Sequence, residues 1–293
     1  MTGRIVVGID GSEQSRNALE WAVARARLGG EELALVSAYT LTPVFDFYGY
    51  HGLADTQPID WYAEYSQKLV DTAAARVRDL APDLACTATV ERGHPGTVLA
   101  AASESASALV VGRRGLGGAA SAVLGSVSNR LTVEAKCPVV VVGADELPTT
   151  GPVVVGLDGS DFAVHALRYA IAEAAARRTS VRAIAAFDYV HPAFSLDDEL
   201  AARMKAGAED EAASVVPRAL AQLGADAASV DIEHVAVAGP AAEAILDNSD
   251  DAQLIVVGSH GKGLVRRVLL GSVSRQVLND AERPVAVVDL PEH

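Results

Sequence analysis

The sequence repeats itself once, and this duplication constrains the fold more than any other feature. Three segments of the first half return in the same order in the second: RIVVGIDGS (4–12) as PVVVGLDGS (152–160), LVVGRRG (109–115) as IVVGSHG (255–261), and LGSVS (124–128) unchanged at 270–274. A chain of 293 residues is long enough for two separate cores. We therefore predict one domain over residues 1–143, a polar linker containing Pro and Gly over 144–151, and a second domain over 152–293.

Each copy alternates continuous apolar runs with helical patterns. In the first copy, strands are predicted at 4–9, 33–39, 84–91, 109–112 and 139–142, and helices at 12–28, 59–80, 96–105 and 126–135. Aromatic residues make up only 5% of the chain, so the cores must be built from Val, Ile, Leu and Ala, which is typical of parallel sheets covered on both faces. Right-handed crossovers then favour an α/β fold of two tandem doubly wound domains, whose ligands bind beyond the carboxyl ends of the strands.

The formal net charge of −14 disfavours nucleic acid and anionic membranes as partners, although a local pocket of backbone donors can still hold a small anion. Cys86 and Cys137 match no metal or redox spacing, and we expect buried, apolar thiols in a reducing cytosol. The N-terminus runs straight into a strand, and no apolar run approaches the roughly 18 residues of a membrane span. We expect no signal peptide and a cytoplasmic protein.

Three glycines follow the fourth predicted strand of each copy at a fixed spacing, with two residues and then nine residues between them. Gly112 would let a ligand approach the backbone, Gly115 would let the chain reverse, and Gly125 would free the amides that open the next helix. Those amides and the positive end of the helix dipole accept anions, and Ser126 and Ser128 would add hydroxyl donors. The alternative is that these are turn glycines and that each serine is a helix N-cap. Because both copies keep the full spacing while the residues between differ, we favour a phosphate loop.

This spacing, completed by Gly-Ser, resembles that of the ATP-binding branch of the universal stress proteins, and the resemblance covers essentially the whole chain in the tandem two-domain form. It implies a five-stranded parallel sheet of order 3-2-1-4-5 in each domain, with the triphosphate on the loop and the adenosine between the first and second strands. Carried over by position, the residues implied to bind ATP are Ile9, Asp10, Ala38, Gly112, Gly115, Gly125, Ser126, Val127 and Ser128 in the first domain, and Leu157, Asp158, Ala186, Gly258, Gly261, Gly271, Ser272, Val273 and Ser274 in the second. Asp10 could instead form an Asx turn ahead of its helix.

The resemblance implies an ATP-binding regulatory module of the stress response, with ATP bound alone or with Mg²⁺. A nucleotide-free interaction protein with the same fold and a slow ATPase are the alternatives. No Walker lysine, GxSxG elbow or metal-spaced cluster is present, so we assign no catalytic residue and no metal ligand. We expect His94 and His260 to be solvated loop residues, and we expect no catalysis beyond weak ATP hydrolysis or self-phosphorylation.

The strands at 139–142 and 285–288 end each copy and should be sheet edges, which are liabilities when exposed. In the resembling family the last strands pair across the domain interface, and we predict that two-domain chains pair again into a homodimer. The protein partner is not indicated. The aromatic segment FDFYGYH at 45–51 is either a lid or partner surface or ordinary loop packing.

The two loops differ in charge, since the second contains Lys262, Arg266 and Arg267 where the first has mainly small and apolar residues. These cations lead us to expect a few-fold tighter binding of ATP in the second domain, with a steeper dependence on salt.

Overall fold

The computed structural model describes residues 3–40, 59–115, 124–143, 147–187, 198–224, 229–261 and 269–290, and it has the predicted α/β architecture in two tandem halves. The first half runs β1 (Arg4–Gly8), α1 (Glu13–Gly29), β2 (Glu32–Tyr39), α2 (Ile59–Leu80), β3 (Cys86–Arg92), α3 (Pro95–Ser103), β4 (Ala108–Gly112), α4 (Ser126–Glu134) and β5 (Val139–Val142). The second runs β6 (Val153–Gly156), α5 (Asp161–Arg177), β7 (Val181–Phe187), α6 (Asp198–Leu223), β8 (Ile232–Ala238), α7 (Ala241–Asp247), β9 (Leu254–Gly258), α8 (Ser272–Asp280) and β10 (Val285–Val288). The elements predicted for the first half agree with the observed bounds to within two residues at every end.

The described strands form one continuous sheet in the order β3-β2-β1-β4-β5-β10-β9-β6-β7-β8. Each half therefore has the predicted order 3-2-1-4-5, because β6 to β10 are the counterparts of β1 to β5. Neighbouring strands within each half are parallel. This order places the carboxyl ends of β1 and β4, and of β6 and β9, at the point where the chain reverses its direction of winding.

The two halves join through β5 and β10, which pair antiparallel with Val140 opposite Ala286. Each strand is the edge of its own half, as predicted, and pairing with the other removes both unpaired edges. A homodimer of two such chains therefore has to use another surface, and dimerisation stays a prediction.

Successive side chains of each strand enter different apolar layers. In β1, Ile5 and Val7 belong to the layer formed with α1, α2, α5 and α6, whereas Val6 belongs to the layer formed with α3, α4, α7 and α8. Both faces of the sheet are covered, which explains why the strands read as continuous apolar runs. Within the described ranges, no helix combines the length and the apolar character needed to cross a bilayer.

A buried charge cluster lies between α1 of the first half and α5 of the second. Arg25 Nε lies 2.6 Å from Glu173 Oε1, and Arg177 Nε lies 3.3 Å from Glu173 Oε2, with the Glu173 side chain only 2% exposed. The guanidinium of Arg177 also lies over the ring of Trp21 at 5.2 Å. Burial lowers the pKa of Arg25, but the carboxylates of Glu173 and Glu31 outweigh this effect and raise that pKa above its ordinary value.

The two cysteines are free thiols, and both are half-buried rather than fully buried as expected. Burial raises the pKa of Cys137 to about 12, and burial likewise raises the pKa of Cys86. Both thiols therefore stay protonated near neutral pH and are weak nucleophiles. The aromatic segment at 45–51 lies outside the described residues.

Candidate functional site

Each half has a cavity at the carboxyl ends of its strands, of about 440 Å³ in the first half and about 290 Å³ in the second. All the residues named from the sequence line these two cavities. The first is lined by Ile9, Asp10, Ala38, Gly112, Gly115, Gly125, Ser126, Val127 and Ser128. The second is lined by Leu157, Asp158, Ala186, Gly258, Gly261, Gly271, Ser272, Val273 and Ser274. The spacing in the sequence thus located both cavities, although several individual roles differ from those expected.

The first glycine of each loop is required by helix packing. A Cβ on Gly112 would lie 2.9 Å from the Cβ and the carbonyl carbon of Gln14 in the first turn of α1. A Cβ on Gly258 would lie 3.0 Å from the Cβ of Phe162 in the first turn of α5. Real Cβ atoms avoid such distances, so glycine lets the helix pack closely on the strand end. The close approach of a ligand to this glycine stays a prediction.

The second glycine makes room for a carboxylate. A Cβ on Gly115 would lie 2.5 Å from Asp10 Oδ2, and a Cβ on Gly261 would lie 2.7 Å from Asp158 Oδ2. The other oxygen, Oδ1, accepts the backbone N–H of Ser12 in the first half and of Ser160 in the second, each at 2.9 Å. Asp10 therefore does form the Asx turn, and it presents its second oxygen to the loop at the same time. Neither Gly115 nor Gly261 has a positive φ, so neither is needed for a left-handed conformation, and the reversal of the chain after them stays a prediction.

The glycines that do require the left-handed conformation were missed by the sequence reasoning. Gly11 has φ 83° and Gly159 has φ 81°, and both lie between the aspartate and the serine of the repeated Asp-Gly-Ser. The turn they make lets Ser12 cap α1 by accepting the N–H of Ser15, and lets Ser160 cap α5. The signal was present, because both copies keep Asp-Gly-Ser directly after the first strand.

The third glycine is itself the N-cap of the helix that follows. Gly125 precedes α4 with φ −63° and ψ 152°, and Gly271 precedes α8 with φ −58° and ψ 153°; neither helix has a side-chain cap. The Gly125 N–H donates to the carbonyl of Arg113 at 2.9 Å. The next amides of α4 have no partner within the helix because they belong to its first turn. Each cavity thus ends at a helix N-terminus with an uncapped first turn and a positive dipole end.

The two serines of each loop have different surroundings, and neither is the N-cap of the alternative interpretation. Ser126 and Ser272 are the first helical residues rather than N-caps, and both are exposed at the cavity. Ser128 and Ser274 are buried, and their hydroxyls donate to the carbonyls of Gly112 at 2.7 Å and of Gly258 at 2.6 Å. A hydroxyl has one hydrogen to donate, so these two serines tie the helix to the strand and cannot also donate to a phosphate.

The side chains that support the two loops are different. In the first half, Gln14 Oε1 accepts the backbone N–H of Arg114 at 2.5 Å. In the second half, the ring of Phe162 packs on the ring of His260, with centroids 5.2 Å apart. His260 is only 6% exposed, so its expected solvation was wrong, whereas His94 is exposed and its Nδ1 accepts the N–H of Gly96 at the start of α3. The sequence did not indicate that a residue of α1 or α5 would contact the loop. The two become neighbours only when the helix packs on the strand end.

The apolar walls of the cavities were also missed as site residues. Val36 and Leu99 line the first cavity, and Ile184 and Ile245 line the second at the matching positions. In the sequence they read as ordinary core residues of a strand and a helix. The loop cations at 262, 266 and 267 lie outside the described residues. Among the residues that the structure describes, no three His, Cys, Asp or Glu side chains converge as a metal site would require.

Comparisons with known proteins agree over the whole chain. The model of the universal stress protein family matches residues 1–143 and 149–289. A universal stress protein of Mycobacterium tuberculosis is 32% identical, over 98% of this chain and 95% of its own length. One from Mycolicibacterium smegmatis is 29% identical, over 97% of this chain and 96% of its own length. The crystal structure of a universal stress protein from Archaeoglobus fulgidus superposes with a TM-score of 0.70 at 23% identity, covering 98% of each chain, and so has the same fold.

Proposed function

The chain belongs to the universal stress protein family, and from this premise we propose that each half binds one ATP molecule and that the protein is a regulatory nucleotide-binding module of the stress response. One observation carries the proposal, and it is the same in both halves. An apolar cavity at the carboxyl ends of the strands leads to a helix N-terminus that has no side-chain cap. One end of such a cavity suits a flat apolar base, and the other suits an anion.

The adenosine end is supported by the apolar wall and by the aspartate. Val36, Ala38 and Leu99 in the first cavity offer aliphatic surface to a purine ring. Asp10 uses Oδ1 in its Asx turn, while Oδ2, directed at the Cα of Gly115, keeps acceptor capacity for a ribose hydroxyl. Asp158 is oriented in the same way in the second half.

The phosphate end is supported by the first turns of α4 and α8. The dipole of a helix and the unpaired N–H groups of its first turn stabilise anions, and nine residues are enough for either helix to present them. Ser126 and Ser272 are the exposed hydroxyls beside those amides. We propose that Mg²⁺ enters bound to the phosphate oxygens of ATP.

We propose regulation and not turnover, because the glycine loops supply anion donors, and we assign the aspartate that lines each cavity to the ribose rather than to an attacking water. Slow hydrolysis or self-phosphorylation is compatible with this role. Multiple-turnover hydrolysis at about 10 per second, an ordinary enzymatic rate, would contradict it. We also propose a cytoplasmic homodimer, which predicts a solution mass near twice 30.3 kDa by light scattering.

The test uses a charge placed at each helix N-terminus. In Ser126→Glu and Ser272→Glu the new carboxylate favours the helix dipole but repels a triphosphate, so the fold is kept while the anion site is blocked. We expect two ATP per chain in the unmodified protein, one in each single variant and none in the double variant. Calorimetric titration gives these numbers, and chromatography of the denatured protein detects any ATP that co-purifies.

Ser126→Gln and Ser272→Gln are the matched controls, since they add similar bulk without charge and should keep both sites. Full stoichiometry in the two glutamate variants would show that the loops are assigned wrongly. An unmodified protein that binds no ATP at millimolar concentrations would favour the nucleotide-free interaction protein instead.

A further inference from the structure

Residues of the second half hold the loop that lines the first cavity. The backbone N–H of Leu124 donates to Asn279 Oδ1 at 3.1 Å, and Arg113 Nη2 donates to the carbonyl of Ala281. Leu124 and Arg113 belong to the glycine loop of the first half, whereas Asn279 lies in the last turn of α8 and Ala281 ends that helix. The loop of one site is therefore held by the other half of the chain.

These contacts lie directly beside the groups that would meet phosphate. Leu124 is 8% exposed, lines the first cavity and precedes the N-cap Gly125. The carbonyl of Arg113 accepts the Gly125 N–H at 2.9 Å, and the Ser128 hydroxyl lies 3.3 Å from the same carbonyl. Any shift of Leu124 or Arg113 is thus passed to the N-terminus of α4.

The second cavity is supported differently. The repeated segments LGSVS at 124–128 and 270–274 are 146 residues apart, so the counterpart of Asn279 is Val133. The Val133 side chain has no acceptor to offer a loop amide. The counterpart of Arg113 is Ser259, whose hydroxyl donates to Asp289 of its own half at 3.0 Å. Within the described residues, Asn279 and Arg113 therefore hold the first loop against the second half, and their counterparts Val133 and Ser259 cannot make the same contacts.

The helix that contains Asn279 also forms the second site. The first turn of α8 contributes Ser272, Val273 and Ser274 to the second cavity, and its last turn contributes Asn279 to the first loop. Nine residues of α-helix span about 13 Å, and backbone hydrogen bonds of the helix connect its two ends. A ligand bound at one end of α8 therefore acts on a helix whose other end holds the first loop.

We propose that Asn279 is a positioning residue of the first nucleotide site, and that α8 couples the occupancy of the second cavity to the affinity of the first. The inference rests on the proposed function for the identity of the ligand. By linkage the coupling is reciprocal, so occupancy of the first site changes the affinity of the second by the same factor.

The test removes the acceptor and keeps the shape. Asn279→Leu leaves the Leu124 amide without its partner, so the loop has to be ordered again when ATP binds. We expect about tenfold weaker binding at the first site, equivalent to about 1.4 kcal/mol. This affinity is measured in the Ser272→Glu background, and the second site is measured in Ser126→Glu, where Asn279→Leu should change nothing. Without these blocks, two-site titration should show interacting sites in the unmodified protein and independent sites in Asn279→Leu.

Two variants separate positioning from general damage. Asn279→Asp keeps an oxygen acceptor in the same place and should restore the first-site affinity, while Gln276→Leu removes an exposed amide from the same helix and should have no effect. Equal weakening at both sites, or no rescue by Asn279→Asp, would overturn the inference.

Hydrogen exchange of the Leu124 amide gives a readout that needs no nucleotide. We expect faster exchange in Asn279→Leu than in the unmodified protein or in Gln276→Leu. Unchanged exchange would overturn the inference even if ATP binds. If the unmodified protein binds no ATP while Asn279→Leu still accelerates this exchange, the proposed function fails and the positioning of the first loop by the second half stands.

Discussion

The two cavities have the same backbone and different supports. In both, glycine occupies the N-cap position of the helix, so no side chain caps the first turn. In both, an aspartate directs one carboxylate oxygen at the second loop glycine. The supports differ: Gln14 bonds the loop backbone in the first half, whereas Phe162 packs on a histidine ring in the second. The first loop is also held by Asn279 from the other half.

The difference indicates which features the site depends on. Both cavities share the first-turn amides of a helix and glycines whose lack of a Cβ few residue types can replace. Supporting side chains need only hold the loop in place, and a hydrogen bond or an aromatic contact can each do this. The copies could therefore diverge in their supports without losing the cavity.

The largest expected effect is a loss of stability on removing one of two opposite charges that occupy equivalent positions in the two halves. The repeated segments 4–12 and 152–160 are 148 residues apart, and so are Arg25 and Glu173 in the helices that follow them. Arg25 Nε and Glu173 Oε1 are 2.6 Å apart. Arg25→Leu leaves Glu173 buried with Arg177 as its remaining ion-pair partner among the described residues, and we expect a loss of about 3 kcal/mol in the free energy of unfolding. Denaturant titration measures the change.

The exposed pair of Arg76 and Glu20 provides the control, since its atoms are also 2.6 Å apart. Arg76→Leu should change the free energy of unfolding by less than about 1 kcal/mol. Similar losses in the two variants would mean that burial between the halves does not strengthen the dependence on Arg25.

The next effect should be equal in the two halves. In Gly115→Ala the new Cβ meets Asp10 Oδ2 at 2.5 Å, and in Gly261→Ala it meets Asp158 Oδ2 at 2.7 Å. Each carboxylate must move, and we expect about tenfold weaker ATP binding in the altered half alone, from overpacking of about 1.4 kcal/mol. Gly207→Ala in α6, where a Cβ meets no atom within 4 Å, is the control. A marked inequality between the halves would contradict the shared geometry.

The smallest expected effect is on ATP affinity when a loop cation is removed, and it should differ between the two halves. Arg114 is the only Lys or Arg among the described residues that line either cavity. Arg114→Gln should weaken ATP binding at the first site about threefold and flatten its dependence on salt, because a partly exposed cation contributes little once screened. The cations at 262, 266 and 267 predict the opposite ranking, with tighter and more salt-dependent binding in the second half. Calorimetry at two salt concentrations on Ser126→Glu and Ser272→Glu decides between them.

The sequence predicted most of the fold because the relevant signals are local or repeated. Apolar runs marked the strands, and the duplication gave the same arrangement twice, so the order 3-2-1-4-5 and both cavities followed from the pattern and the family resemblance. The roles of single residues were harder to predict. What fills the space beside Gly112 is Gln14, which lies about 100 residues earlier in the chain, and only the packed structure brings the two together.

The support of the first loop by the second half could not be predicted for the same reason. The contact between Leu124 and Asn279 crosses from one half to the other and depends on the antiparallel pairing of β5 with β10. No pattern within either copy marks Asn279, because its counterpart in the first copy is an apolar residue. Contacts between the halves depend on residues that differ between the copies, and a comparison of the repeated segments does not reveal such residues.

The charge pair between α1 and α5 has a consequence for which halves can associate. In a symmetric pair of first halves, Arg25 would face a second Arg25, and in a symmetric pair of second halves, Glu173 would face a second Glu173 with no cation from α1. Glu31 would offset part of the repulsion between two arginines, and Arg177 part of that between two glutamates, but only unlike halves add the contact between Arg25 and Glu173. The contact between Arg25 and Glu173 therefore favours the pairing of a first half with a second half over the pairing of two identical halves.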